Sequence, residues 1–327
     1  MAGLWEGYMD KSGRKWIARE IEKLDPFRDY ADIIRIATIY RANGPFFDFI
    51  YSVTFPNFIT GNHGAAGIMR EGKGKAVRHM ERRMDQTTQH ILIWSEYGPD
   101  HPNTIRSIES LNAIHKFWSK HYPDGFSVDE DYTYTICYEV TLFHRLVVRA
   151  GGKGISEKEK IASFEFYRRI ARHFRNVATG EPIEFPMQSF ADCMDFALAY
   201  EAKRRPKNDH VELIDRFLVS SFARRHFPVF LQPLARSLVL TMMPSGTLRN
   251  LGLKRPSRPV QMLCRSGFRA FLWMGENVIS DPKVSMPELI RKQDGLTEEE
   301  YMARVVGGMN AQPKAESGRF AEDVETA

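Results

Sequence analysis

The chain has 327 residues, of which 43% are hydrophobic and 27% charged, proportions that exclude a disordered or collagen-like protein. Its formal net charge is +5. Residues 281–327 carry 6 basic against 10 acidic side chains, so the basic excess lies in residues 1–280. Because this excess forms no dense basic stripe and no known binding module is visible, we do not expect nucleic acid as a partner.

The N-terminal part of the chain carries no targeting signal that we recognise. The first 25 residues mix tryptophans with charged side chains and lack the continuous apolar segment of a secretory signal. The longest stretch free of charged side chains, residues 49–69, contains Pro56 and three glycines and is a poor membrane helix. The three cysteines lie far apart, which argues against a disulfide framework and a zinc site. We therefore expect a cytoplasmic protein, with peripheral membrane contact as an open possibility.

The periodicity of the chain is helical. Apolar residues recur at steps of three and four within residues 33–40, 105–118 and 161–171, which predicts amphipathic helices there. Ser156 with Glu159 is typical of a capping box, and Ser189 with Asp192 of another helix start. Strand-like composition is confined to residues 132–136, too short a segment to build a sheet. The sequence therefore predicts an all-α fold.

Residues 21–280 are predicted to form a single large helical domain, because neither a long linker nor an internal repeat divides them. Residues 1–20 are then an N-terminal extension. Residues 281–327 are predicted to be a C-terminal appendage with one short helix over Thr297–Val306 and a partly disordered tip.

His115 is the histidine whose surroundings are most informative. On a helix it shares a face with Ile108, Leu111 and Trp118. An imidazole in such surroundings is either an ordinary core residue or a ligand of a buried metal cofactor. No second histidine or carboxylate lies three or four residues away, which disfavours a site with several protein ligands on this helix. A haem iron needs few protein ligands, because the porphyrin supplies four nitrogens.

Arg83 and Thr87 stand four residues apart at the head of an apolar stripe that continues through Ile91 and Trp94. A guanidinium and a hydroxyl in that position are costly to bury without partners, and suit an anionic or oxygen-containing ligand. The alternative is that Arg83 belongs to an exposed run of charged residues, 81–83.

Six short elements follow one another along the chain, and their order is informative. They are Arg83-x-x-x-Thr87, Asn112-x-x-His115, residues 131–136 (Asp-Tyr-Thr-Tyr-Thr-Ile), Glu159 in a basic helix, Pro186-x-x-Ser189, and Tyr200-Glu201. In this order the sequence resembles the MpaB oxygenase family, relatives of the latex-clearing rubber oxygenases. The resemblance covers residues 24–253, most of the chain.

The resemblance implies a globin-like helical core that binds haem b and uses O2 to attack carbon–carbon double bonds. It implies that His115 is the iron ligand and that Arg83 and Thr87 lie on the side where oxygen binds. The substrate would be a hydrophobic alkenyl or isoprenoid molecule, cleaved to carbonyl products, with a reductant or redox partner that the sequence does not identify.

The chain departs from the rubber oxygenases around the same elements. Asn112 and Ser119 stand where those enzymes have arginines, and Gln86 stands where they have a lysine. These differences favour the MpaB-like branch over polymer cleavage. Glu139 stands where relatives are apolar, and is either an acid of the binding pocket or a surface residue.

Two other functions are compatible with the sequence. The first is a haem protein that senses or carries a ligand without catalysis. The second is a helical protein without a cofactor that binds membrane surfaces through the basic, aromatic segment Phe222–Phe230. That segment is also compatible with an ordinary amphipathic helix end.

Overall fold

The structure is a computed structural model that describes residues 9–310. Within that range it contains helices, turns and one isolated bridge between Arg175 and Pro182, and no strand, so the all-α prediction is confirmed. The helices are α1 (Trp16–Lys23), α2 (Tyr30–Arg35), α3 (Gly44–Phe58), α4 (Asn62–Met69), α5 (Lys75–Arg78), α6 (Met80–Tyr97), α7 (Pro102–Ser119), α8 (Asp129–Arg149), α9 (Glu157–Ala171), α10 (Phe190–Ala202), α11 (Val211–Leu213), α12 (Ser221–His226), α13 (Gln232–Met242), α14 (Ser245–Asn250), α15 (Arg258–Asn277), α16 (Met286–Asp294) and α17 (Glu298–Asn310). Two of them continue as π-helices, α2 over Ile36–Tyr40 and α11 over Ile214–Val219.

The local signals read from the sequence have the expected structural consequences. The three periodic segments lie in α2 with its π-helical continuation, in α7 and in α9. At the start of α9, the Ser156 side chain accepts a hydrogen bond from the Glu159 N–H, and the Glu159 carboxylate accepts one from the Ser156 N–H. At the start of α10, the Ser189 side chain accepts from the Asp192 N–H. Both predicted helix starts are confirmed.

The strand-like segment 132–136 is helical, as part of α8. Three acidic residues, Asp129, Glu130 and Asp131, occupy the first turn of α8, where negative charge complements the helix dipole. Tyr134 and Ile136 are buried, so their β-propensity is overridden by packing against the neighbouring helices.

The core is organised around α3, whose residues are buried on nearly all sides. It contacts α6, α8, α12 and α13, as expected for a helix that is apolar all round. α8 packs against α9 and α10, and α6 packs against α7. This arrangement brings the ends of α3, α6, α7 and α8 around one cavity.

The segments on either side of residues 21–280 contact the same core. Trp16 and Ile17 at the start of α1 are buried, and Tyr301 and Met302 of α17 are buried against α6 and α7. The predicted helix over Thr297–Val306 corresponds to α17. The predicted boundaries at residues 20 and 280 stay a prediction, and the predicted disordered tip lies outside the described residues.

Across residues 9–310, we find no helix with the length and apolar character needed to cross a bilayer.

Candidate functional site

Five helices surround a cavity that contains two of the three predicted site residues. Its volume is about 210 Å³, below the ~300–1,000 Å³ typical of small-molecule sites. The walls come from α3, α4, α6, α7 and α8, from the loop before α8, and from the segment after α9. Most lining side chains are apolar or aromatic, among them Phe55, Phe58, Ile68, Phe126, Tyr132 and Phe174. The cavity therefore suits a ligand that is largely apolar with few polar groups.

His115 projects from α7 into this cavity. Its ring stacks on Phe126, with the ring centroids 4.8 Å apart, and meets Tyr132 edge-on at 6.1 Å. Its Nδ1 atom is buried and has no hydrogen-bond partner. Burial, helped by the positive charge of Arg83, lowers the pKa of His115 to about 4. At neutral pH the ring is therefore uncharged, the state in which an imidazole ligates a metal.

Arg83 reaches the same cavity from α6. Its Nε donates a hydrogen bond to Tyr51 Oη at 3.0 Å, and its guanidinium carbon lies 4.7 Å from the centre of the Phe55 ring. Both partners belong to α3, so a core helix fixes the guanidinium in place. Within residues 9–310, Arg83 forms no ion pair, which leaves its positive charge available to a ligand.

Thr87 is placed differently from the other two residues. Its hydroxyl donates to the Arg83 carbonyl at 3.0 Å, a bond to the preceding turn of its own helix. Thr87 is not among the residues that line the cavity. The structure thus brings His115 and Arg83 together and leaves Thr87 beside them on α6.

A hydrogen-bonded cluster at the edge of the cavity was not predicted as a unit. Asp131 lines the cavity, accepts a hydrogen bond from Tyr200 Oη at 2.5 Å, and is bonded to His63 Nε2 at 2.8 Å. Burial opposes the charge of Asp131, but the bonds from His63 and Tyr200 outweigh it and lower the pKa of the carboxyl. The bond to Asp131 raises the pKa of His63. Asp131 and Tyr200 stand in the sequence elements quoted above, whereas no sequence signal marked His63.

Several residues of those sequence elements hold the helices together. Tyr134, three residues after Asp131 on α8, donates to Glu201 of α10 at 3.0 Å. The Tyr200–Asp131 and Tyr134–Glu201 bonds therefore both join α8 to α10. Asn112 donates to the His173 carbonyl at 2.8 Å and accepts from the Arg175 N–H at 3.2 Å, which anchors the turn after α9 beside α7.

Glu139 lies one helical turn beyond the cavity-lining Thr135 on α8. It is not itself among the lining residues. Burial raises its pKa to about 7.

Within the described part of the chain, no group of three or more His, Cys, Asp or Glu side chains is arranged to hold a metal ion. A scan against models of known protein families finds no match for the chain, and neither does a search among curated proteins.

Proposed function

We propose that the protein is a haem b-dependent oxygenase that acts on a hydrophobic alkenyl or isoprenoid substrate, with oxidative cleavage of a C=C bond as the reaction. The observation that supports this most is His115: an uncharged imidazole, with one buried nitrogen lacking a partner, standing in an aromatic cavity beside a guanidinium. The resemblance to MpaB oxygenases supports the same assignment.

The chemistry of the lining residues suits haem, but the cavity of about 210 Å³ must widen to admit the macrocycle. One imidazole suffices as the protein ligand, since the porphyrin provides the other four nitrogens. The aromatic side chains match the flat apolar faces of a macrocycle. When bound, haem would supply the iron needed for oxygen chemistry.

The residues at the cavity then have defined roles. His115 would ligate the iron, and its low pKa keeps the ring free of a competing proton at neutral pH. Arg83, fixed by Tyr51, donates hydrogen bonds where negative charge develops in the cavity, a kind of stabilisation worth ~10²–10³-fold in rate. Phe55 and Phe58 exclude water and offer an apolar surface to the substrate. The role of Thr87 on the oxygen-binding side stays a prediction, since its hydroxyl is bonded to the Arg83 carbonyl.

An absorption spectrum tests haem binding directly. We expect the protein purified after haem-replete expression to show a Soret band, and His115→Ala to lose it. His121→Ala is the matched control, because His121 is an exposed histidine just beyond the end of α7. A wild-type protein without a Soret band contradicts the proposal.

Product analysis tests the reaction separately from haem binding. The haem-loaded protein is incubated with an isoprenoid alkene, O2 and a reductant, and the products are examined for carbonyl compounds. We expect Arg83→Ala to retain haem and to lose activity ~10²-fold or more, because it removes the guanidinium from the cavity. Bound haem without any oxidised product would instead indicate a haem sensor or carrier.

A further inference from the structure

α15 has an apolar face turned to solvent as well as one turned to the core. Cys264 and Phe268 are buried along one side of the helix. On the opposite side, by the 100° rotation per residue of an α-helix, lie Met262, Leu263 and Trp273. These three are 70%, 59% and 57% exposed. With the adjacent Met274 they form the outer face of α15, and no charged residue stands among them.

Positive charge follows one flank of this outer face. Arg258, Arg265 and Arg269 recur at intervals of seven and four residues, so they lie on one side of the helix. Within residues 9–310, the side chains of these three arginines form no hydrogen bond or ion pair. The only acidic residue of α15, Glu276, follows Arg269 by seven positions and so lies on the same side, at the C-terminal end of the helix. The outer face is therefore apolar in its middle and basic along one edge.

Two further exposed apolar side chains precede α13, the helix that neighbours α15. Val229 and Phe230, just before α13, are 81% and 78% exposed, and α13 packs against α15. They are the last two residues of the segment that the sequence marked as a possible membrane contact. Phe222 and Ala223, in its first half, are buried and belong to the core. The exposed apolar surface thus lies mainly on α15, which the sequence did not indicate.

We propose that the outer face of α15 docks on the surface of an anionic lipid bilayer, with Trp273, Met262 and Leu263 inserted at the level of the headgroups and the three arginines bound to lipid phosphates. An amphipathic helix lying in the interface has this combination of basic and aromatic side chains. Anionic headgroups complement the arginines. A second copy of the chain would present the same positive edge and be repelled by it. The proposal does not depend on haem.

Vesicle binding tests the proposal with the full-length protein. We expect the wild type to co-sediment with vesicles of phosphatidylcholine and phosphatidylglycerol, and much less with phosphatidylcholine alone. The double variant Met262→Ser/Trp273→Ser should bind at least ~10-fold more weakly, since it removes two large apolar side chains from the contact. Leu198→Ser is the matched control, because Leu198 is 51% exposed on another helix, α10.

The arginines are tested by reversing and by preserving their charge. Arg265→Glu/Arg269→Glu should lower binding by about 5-fold or more per residue, because each basic residue near an anionic surface contributes ~1 kcal/mol. Arg265→Lys/Arg269→Lys keeps the charge and should bind like the wild type.

Fluorescence and light scattering decide between lipid and other occupants. Vesicles should shift the tryptophan emission of the wild type to shorter wavelength, and Trp273→Phe should bind without most of that shift. The proposal is overturned if the wild type does not bind anionic vesicles, or if the outer-face and control variants bind equally. A wild-type dimer that Trp273→Ser converts to a monomer also overturns it, because the face would then join two copies of this chain.

Discussion

Arg145 and Glu201 form an ion pair that is almost completely buried between α8 and α10. Arg145 Nη2 lies 2.6 Å from both carboxylate oxygens of Glu201, and Tyr134 also donates to that carboxylate. Arg145 Nη1 is buried without a hydrogen-bond partner, so Glu201 carries most of the compensation for the buried cation. Removing one partner of such a pair costs more than removing both, because a single charge is then left in a medium of low dielectric constant.

We therefore expect Glu201→Leu to lower the free energy of unfolding by ~3–5 kcal/mol. The double variant Arg145→Met/Glu201→Leu should recover much of that loss. Urea unfolding at neutral pH measures both. Arg304→Ala, which breaks the exposed pair with Asp294, is the control and should cost ~0–1 kcal/mol. A double variant less stable than Glu201→Leu would show that the buried pair is a net source of stability.

At the site, the sequence could identify single residues but not all of their neighbours. His115 and Arg83 lie 32 positions apart in the chain, and the structure places both on one cavity. The role of Thr87 stays a prediction, because its hydroxyl bonds back to the carbonyl four residues earlier, as a threonine inside a helix can. The bond between His63 and Asp131 joins residues 68 positions apart, and such a pairing depends on how α4 and α8 meet.

At the level of helices, the N-terminal caps of α9 and α10 were the features most clearly predicted by the sequence. A cap is a contact between residues three positions apart, so it is fixed by local sequence and survives any tertiary arrangement. The strand-like composition of residues 132–136 misled for the opposite reason. β-branched and aromatic residues indicate a half-buried surface, which can belong to a strand or to a helix. Here the packing of α9 and α10 against this segment favours the helix.

The capping box of α9 gives a prediction at this scale. Ser156→Ala removes the acceptor for the Glu159 N–H and should lower the free energy of unfolding by ~1 kcal/mol. Ser156→Asp keeps an acceptor at the cap and should retain most of the stability. Thermal or urea unfolding measures the difference. Ser280→Ala, at an exposed position outside the helices, is the control, and an equal effect of the two alanine variants would contradict the role of the cap.

For the whole molecule, the C-terminal segment shows which features the sequence predicts and which depend on tertiary contacts. Composition separates residues 281–327 from the rest, because acidic residues outnumber basic ones there. The structure nevertheless packs α16 and α17 against α6 and α7. Arg291 donates to both carboxylate oxygens of Glu96, and Tyr301 and Val305 are buried. The helix α17 was predictable from its own residues, whereas its docking depends on a partner surface nearly 200 positions away.

The stability of the molecule should depend on pH through a buried histidine. His90 on α6 is buried, its Nδ1 is 2.7 Å from Ser107 Oγ, and its Nε2 has no hydrogen-bond partner. Burial lowers its pKa from 6.5 to about 4. Between these two values the unfolded chain binds a proton that the folded protein does not, so stability is lost as the pH falls through this window. His115 acts in the same direction, because burial lowers its pKa to about 4 as well.

We expect the free energy of unfolding of the wild type to fall between pH 7 and pH 4, and to fall by about 3 kcal/mol more than that of His90→Gln. The reason is that a pKa difference of about 2.5 between the folded and unfolded states corresponds to about that energy for one proton. Urea unfolding at several pH values measures the two profiles. His121→Gln, at an exposed position, should follow the wild type throughout the range. Parallel profiles for the wild type and His90→Gln would contradict this prediction. They would show that His90 binds its proton as strongly in the folded protein as in the unfolded chain, despite its burial between α6 and α7.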